Sequence, residues 1–325
     1  MEKLGIKYLG LDLRSPLIVS SSRLTSTLGS LKEAEDSGAG AVVLKSLFEE
    51  QINHFVGTFD SASGYPEADD YLANYLRSNS VDEYLNLIRK AREILTIPVI
   101  PSINCFSSEG WTGFAKNIAE AGADALEINV FFLPSDRKKT SAEAEKVYLE
   151  LIEKLKKTIK IPIAIKMGFR FSNILYMIDQ FYMRKVEGVV MFNRYYEPDI
   201  NIDKIDIVPA PIFSTESERR LVLRWIAMAS AQDFRIDISA STGVHSGADA
   251  IRYLLAGAHT VQVCSVLYEK GLPFIKEMNK KIENWMDKNG FGSIEAFRGR
   301  LNYRNYMKPE IYERTQFMKY YSSQD

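Results

Sequence analysis

Eight short runs rich in β-branched and other apolar residues recur along this chain, and an amphipathic stretch with helical spacing separates almost every pair. This alternation limits the fold more than any other feature. A strand that is apolar on both faces must be covered on both, and consecutive parallel strands are joined by crossover helices. The strand-like runs cover residues 16–22 (PLIVSSS), 41–46 (AVVLKS), 98–104 (PVIPSIN), 125–130 (ALEINV), 162–168 (PIAIKMG), 188–193 (GVVMFN), 235–241 and 260–266. Helical spacing covers 28–40, 80–95, 110–121, 141–159, 172–184, 216–231 and 246–256. An extra short strand is expected at 210–215 (APIFST), inside a long loop. This order predicts an α/β chain folded as a (β/α)8 TIM barrel over residues 1–273. A doubly wound open sheet is the other arrangement, but no G-x-G-x-x-G follows the first strand. Residues 274–325 read as a C-terminal helical extension that packs on the barrel or pairs subunits. Residues 47–79 form a long aromatic and acidic segment, and a loop of that length is expected to cover a site.

Bulk properties exclude several classes of function. A net charge of -1 argues against nucleic-acid binding and against a polybasic membrane surface, leaving small molecules as the expected partners. The two cysteines, Cys105 and Cys264, each lie in an apolar strand pattern, so both read as small buried hydrophobes in a reducing compartment. The N-terminal residues show no apolar leader, and no apolar run reaches the roughly 18 residues a membrane span needs. A cytoplasmic location is the expectation.

In a barrel of this kind, chemistry sits where the strands end. The residues at those positions are Ser20, Ser21 and Ser22, then Lys45 and Ser46, Asn104, Asn129, Lys166, Asn193 with Arg194, Ser214 and Thr215, Thr242 and Gly243, and finally Cys264 and Ser265. A lysine that completes an apolar strand has a buried stem, and its head needs an anion or a polar ring to meet. The small residues after the last two strands suit a phosphate held by backbone N–H groups. His54, His245 and His259 are scattered, and no metal-binding, Walker or iron–sulfur cysteine motif occurs. Flavin mononucleotide (FMN) matches this set, with its phosphate in the last two turns and Lys166 as the cation beside the flavin N1 edge. Two other classes fit the same residues. One is a phosphate-sugar lyase or isomerase using Lys45 or Lys166 as a Schiff-base or acid/base lysine. The other is a flavin-binding protein without turnover.

The motifs YLGLDLRSPLIVSSS, LKSLFEEQI, PVIPSIN, ALEINV, IPIAIKMG, VVMFNRYYEPDIN, LRWIA and STGVHSGADAIRYLLAGAHTVQVCSVL, in this order and spacing, resemble the dihydroorotate dehydrogenase family, in particular its class 1 branch and the dihydroorotate dehydrogenase-like proteins. The resemblance spans about residues 8–300. It implies a barrel that holds FMN non-covalently and oxidises dihydroorotate to orotate in pyrimidine biosynthesis by hydride transfer to flavin N5, in a cytoplasmic homodimer. By that resemblance Ser20 and Ser21 line the flavin, while Lys45 and Ser46 contact its ring and ribityl chain. Asn104 and Asn129 bond the ring or the substrate, Lys166 lies beside N1, and Asn193 reaches the substrate amide. Ser214, Thr242, Gly243, Cys264 and Ser265 complete the cofactor site. Arg194 is a candidate partner for a substrate carboxylate, with a surface ion pair as its ordinary role.

The chain departs from the resemblance after the fourth strand. There the family places a cysteine base in Asn-x-Ser-Cys-Pro-Asn, and this chain has Asn129-Val130-Phe131-Phe132-Leu133-Pro134-Ser135. Phe132 takes the cysteine's place by direct count and cannot accept a proton. Ser135 could serve only with a three-residue offset. The long segment also lacks the family's substrate-loop pattern, and its Glu67, Asp69 and Asp70 read as solvated charges. A different dihydro or unsaturated substrate therefore stays open, as does the electron acceptor, with fumarate, oxygen or NAD through a partner subunit as candidates.

Overall fold

In the computed structural model, the described residues are 3–48, 81–105, 111–130 and 133–314. All but the first two residues of the long segment expected to cover the site, with Glu67, Asp69 and Asp70, lie outside them, as do His54 and Phe132, and those first two, Leu47 and Phe48, form a strand. The strands are β1 (Ile6–Tyr8), β2 (Leu11–Leu13), β3 (Leu17–Val19), β4 (Ala41–Val43), β5 (Leu47–Phe48), β6 (Val99–Ile100), β7 (Ser102–Cys105), β8 (Leu126–Val130), β9 (Ile163–Met167), β10 (Gly188–Met191), β11 (Pro198–Asn201), β12 (Asp206–Pro209), β13 (Asp237–Ala240) and β14 (Thr260–Val263). The helices are α1 (Leu28–Asp36), α2 (Val81–Ile94), α3 (Trp111–Glu120), α4 (Ser141–Thr158), α5 (Ile174–Met183), α6 (Arg219–Ala229), α7 (Gly247–Ala256), α8 (Ser265–Lys270) and α9 (Phe274–Lys288).

The sheet closes on itself, and every pairing within it is parallel. β4 pairs with β6, and β5 and β8 both pair with β7. β4–β5 and β6–β7 are thus two strands of one ring, each interrupted part-way. Pro101 makes the second interruption and Leu44–Ser46 the first. Counted this way the ring has eight strands, and the fold is a (β/α)8 barrel. β3, β4, β9, β10 and β14 are buried along their whole length, because helices cover the outer face and side chains fill the lumen. Helix starts follow local chemistry: Thr140 and Glu143 form a reciprocal capping box on α4, and Thr27, Asn173 and Ser246 cap α1, α5 and α7.

The antiparallel β1–β2 hairpin lies at the N-terminal end of the barrel, away from the strand ends that carry the site. The Leu9 N–H donates to Asp237 Oδ2 at 2.6 Å at the foot of β13. Gly188, at the foot of β10, leaves room for Leu9: a Cβ there would lie 2.4 Å from Leu9 Cδ2. α9 packs on α7 with Ile275, Met278, Ile282 and Met286 buried, and Trp285, Phe291 and Phe297 stack beside them.

The structure corrects two sequence expectations and adds one element. APIFST forms no strand; the hairpin β11–β12, which carries exposed isoleucines along an edge-type pattern, precedes it. Ser265 does not end the last strand but starts α8, with Cys264 at the cap position. The N-terminal hairpin was not anticipated, because three-residue strands are too short to show a periodicity.

Candidate active site

The C-terminal ends of β3, β9, β10, β13 and β14 surround a cavity of about 420 Å³, lined by Ser20, Ser21, Ser22, Lys166, Asn193, Arg194, Ser214, Thr242, Cys264 and Ser265 together with Ser241, Gln262, Tyr268 and apolar neighbours. That volume lies in the range of small-molecule and cofactor pockets, roughly 300–1,000 Å³. Strand register sets two asparagines that line neither this cavity nor its neighbour level with Lys166. Asn104 on β7 is level with Asn129 on β8, and Asn129 with Lys166 on β9. Asn193 follows β10 and donates through Nδ2 to Asn129 Oδ1 at 2.9 Å.

Lys166 is buried at the rim of this cavity. Its Nζ donates to Ser20 Oγ at 3.1 Å and to Gln262 Oε1 at 3.0 Å, and lies 3.6 Å from Glu127 Oε1. An ammonium has three N–H donors, so among the described residues one is left for a ligand. Gln262 also accepts from Ser20 Oγ at 2.9 Å and donates to Glu127 Oε2 at 2.5 Å. Sequence reasoning passed over Glu127 and Gln262. The available signal was a charged or amide side chain inside otherwise apolar strands, LEINV and TVQV, where an unpaired polar group would be costly.

The turn after β13 uses two successive left-handed residues, Thr242 at φ 77° and Gly243 at φ 71°. Threonine is strained there, and it is held by Thr242 Oγ1 donating to the Phe192 carbonyl at 3.1 Å and by Tyr253 donating to the Thr242 carbonyl at 2.6 Å. Gly243 is required sterically: a Cβ would lie 2.5 Å from the Arg219 backbone nitrogen. Buried Asp249 braces the same loop, accepting from the His245 N–H at 3.1 Å and Ser246 Oγ at 2.9 Å and pairing with Arg219 and Arg252. Ser214 closes the far wall, its N–H donating to Ser265 Oγ at 3.0 Å and its Oγ lying 3.3 Å from His245 Nε2.

The remaining sequence candidates are divided between this cavity, its neighbour and the surface. Lys45 and Ser46 occupy the interruption between β4 and β5 and line a neighbouring cavity of about 380 Å³ with Glu83, Tyr84 and Lys90. Burial, and then the Arg23 charge, pulls the Lys45 ammonium below its ordinary value. A chain of hydroxyls links the walls of the two cavities: Ser21 Oγ to Ser46 Oγ is 2.9 Å, and Ser46 Oγ to Ser102 Oγ is 2.8 Å. Arg194 lines the first cavity, but its Nε donates to Glu218 Oε2 at 3.2 Å and its other arm bonds the Ile212 carbonyl, as an ordinary ion pair. Ser135 is exposed and lines neither cavity. Burial pushes the Cys264 thiol up, against the Lys166 charge and a Ser22 hydrogen bond, which suits an inert cysteine. Tyr195 packs edge-on against Phe169 and under the Arg170 guanidinium at the rim, and Tyr196 is exposed.

Among the described residues no group of His, Cys, Asp or Glu could hold a metal ion, and no helix is long and apolar enough to cross a membrane. The profile of the family described as dihydroorotate dehydrogenase matches residues 3–286. This chain belongs to the dihydroorotate dehydrogenase family. Within it, the chain is 24% identical over 314 residues to the "Dihydroorotate dehydrogenase B (NAD(+)), catalytic subunit" of Thermoplasma volcanium, covering 92% of this chain and 98% of that one. It is 26% identical over 292 residues to the protein of the same name from Methanocaldococcus jannaschii, covering 85% and 91%. It is also 24% identical over 322 residues to the "NAD-dependent dihydropyrimidine dehydrogenase subunit PreA" of Escherichia coli, covering 92% of this chain and 77% of that protein. These dihydroorotate dehydrogenase family relatives are oxidoreductases named for dihydropyrimidine-type rings.

Proposed function

We propose that this chain is an FMN-dependent oxidoreductase acting on the C5–C6 bond of a dihydropyrimidine ring, with dihydroorotate as the first substrate. The observation that carries it is the buried Lys166 ammonium, which has one donor left over and faces a cavity of about 420 Å³ otherwise lined with hydroxyls and amides. That donor set fits FMN: a fixed cation for the electron-rich edge of the ring, and hydroxyl and backbone donors for a phosphate. Ser214, Thr242, Gly243, Cys264 and Ser265 would hold the phosphate, and Ser20, Ser21 and Lys166 the ring system. When bound, FMN supplies the hydride-accepting centre that no amino-acid side chain offers.

The chain's own residues bind and orient. The Asn129–Asn193 amide pair keeps one carbonyl and one set of N–H donors fixed beside Lys166, a pattern that complements the alternating N–H and C=O groups of a pyrimidine ring. Lys45 and Ser46 line the neighbouring cavity, and Ser46 is tied to the first one by its backbone N–H, which donates to Ser21 Oγ at 2.9 Å. One observation favours a second substrate: Arg194 is already paired with Glu218, so a carboxylate clamp is spent, and a neutral dihydropyrimidine needs none.

The test is anaerobic mixing of the purified yellow protein with dihydroorotate and, in parallel, with dihydrouracil. Loss of the flavin's blue absorbance with either one supports the proposal, and the faster of the two names the substrate. Persistent yellow colour with both refutes dihydropyrimidine turnover, and a protein that is colourless and does not take up FMN refutes the cofactor. Such a protein would be assigned to the lyase or isomerase class.

A further inference from the structure

Glu127 is 1% exposed, on a strand whose other residues are almost all apolar, and its Oε1 accepts no hydrogen bond among the described residues. An uncompensated carboxylate in such a place costs several kcal/mol, so its neighbours should reveal its role. Lys166 Nζ stands 3.6 Å from Oε1, too far for a hydrogen bond but within ion-pair range. The link is completed by Gln262, whose amide is pinned at both ends. Its Oε1 accepts from Lys166 and Ser20, and its Nε2 donates to Glu127 Oε2. A flipped amide would turn its N–H groups toward the ammonium and its oxygen toward the carboxylate, so the two charges fix the amide and the amide fixes the lysine. The other titratable groups facing this network are Cys264, which feels the Lys166 charge, and Tyr8, which feels Glu127 from below.

We propose that Glu127 is a positioning residue that holds the Lys166 ammonium, through Gln262, in one orientation at the cavity rim. This rests on the reading of Lys166 as the cation beside a bound flavin. Without the Glu127 charge the lysine loses its counter-charge, the Gln262 amide is no longer fixed in one orientation, and the ammonium leaves the rim.

The experiment uses Glu127→Gln, which keeps the shape and an acceptor for Gln262 but removes the charge. In the holoprotein, the flavin's two-electron potential is expected to fall by about 30 mV, equivalent to a tenfold weaker preference for the reduced form. A bare field effect would do the opposite, because deleting a nearby negative charge raises a potential; an unchanged or raised value overturns the proposal. In the Lys166→Met background, Glu127→Gln is expected to shift nothing, and a full shift there overturns it too. In flavin-free protein, acylation of Lys166 by an amine-reactive ester at pH 7, read by mass spectrometry, is expected to run tenfold faster in Glu127→Gln, and equal rates overturn the proposal. This last measurement needs no flavin, so a failure of the FMN reading stays distinguishable. Gln262→Leu cuts the bridge from the other side and is expected to reproduce both shifts, should Glu127→Gln not fold.

Discussion

His259 offers a sharp test of how the fold treats an ionisable group. It follows α7, and its ring sits under β13, where Nδ1 accepts the Ile238 N–H at 3.0 Å and Nε2 lies 3.3 Å from Asp237 Oδ1. A nitrogen that accepts an N–H has no place for a proton. Burial, and then the Arg298 charge, holds the ring's pKa down to about 3, against an ordinary 6.5. The unfolded chain protonates this histidine as pH drops below 6.5 while the folded chain does not, so the contribution is fully present above that value and is lost as pH falls toward 3. From pH 7 to 5.5 the loss works out at about 1.2 kcal/mol, from roughly 1.4 kcal/mol per pH unit once the unfolded histidine titrates. Asparagine keeps an acceptor near the Nδ1 position and does not titrate, so His259→Asn removes this slope. Urea unfolding of both proteins at pH 7 and 5.5 measures it, and because Asp237 is common to both, the difference isolates the histidine. Parallel loss of stability in the two proteins would refute a ring kept neutral by the fold.

Two further predictions concern the loop that bounds the cavity. Gly243→Ala forces a Cβ to within 2.5 Å of the Arg219 backbone at φ 71°, and is expected to cost at least about 2 kcal/mol in urea unfolding and to release most of the bound flavin on gel filtration. Asp249→Ala leaves Arg219 without its buried counter-charge and the His245 and Ser246 donors without an acceptor. A loss of about 3 kcal/mol in the same assay is expected, with the flavin absorbance spectrum reporting the loosened loop.

The barrel was legible in the sequence because strands buried on both faces, such as IAIKM and GVVM, show as unbroken apolar runs between helical patterns. The same clarity extended to Lys166, a charge at the end of such a run. What the sequence hid depends on partners distant along the chain. Glu127 and Gln262 are 135 residues apart, and only closure of the ring brings them together. Lys45 looked like a second strand-end cation, but the pause at Leu44–Ser46 turns it into a different cavity, and a pause leaves no mark in a pattern of apolar residues. For Arg194 the sequence left open a carboxylate contact or an ion pair, and its partner Glu218 was hidden because it comes from a helical turn after the β11–β12 hairpin, itself absent from the periodicity.

The two interruptions lie side by side on neighbouring strands of the ring. β4 stops at Val43 and resumes as β5 at Leu47, while β6 stops at Ile100 and resumes as β7 at Ser102, with Pro101 contributing no N–H. Every other junction of the barrel is an unbroken ladder, so this one acts as a clasp on a hoop. Its four registered pairs are split two and two, Val42–Val99 and Val43–Ile100 before the break and Leu47–Ile103 and Phe48–Asn104 after it, so the two halves can exchange with deuterium independently. Ser46 and Ser102 bridge the clasp by their hydroxyls, and Ser46 also bonds Ser21 in the wall of the first cavity. A loosening of this junction is therefore felt at Ser21, while Lys166 and Gln262 stand on other strands of the ring.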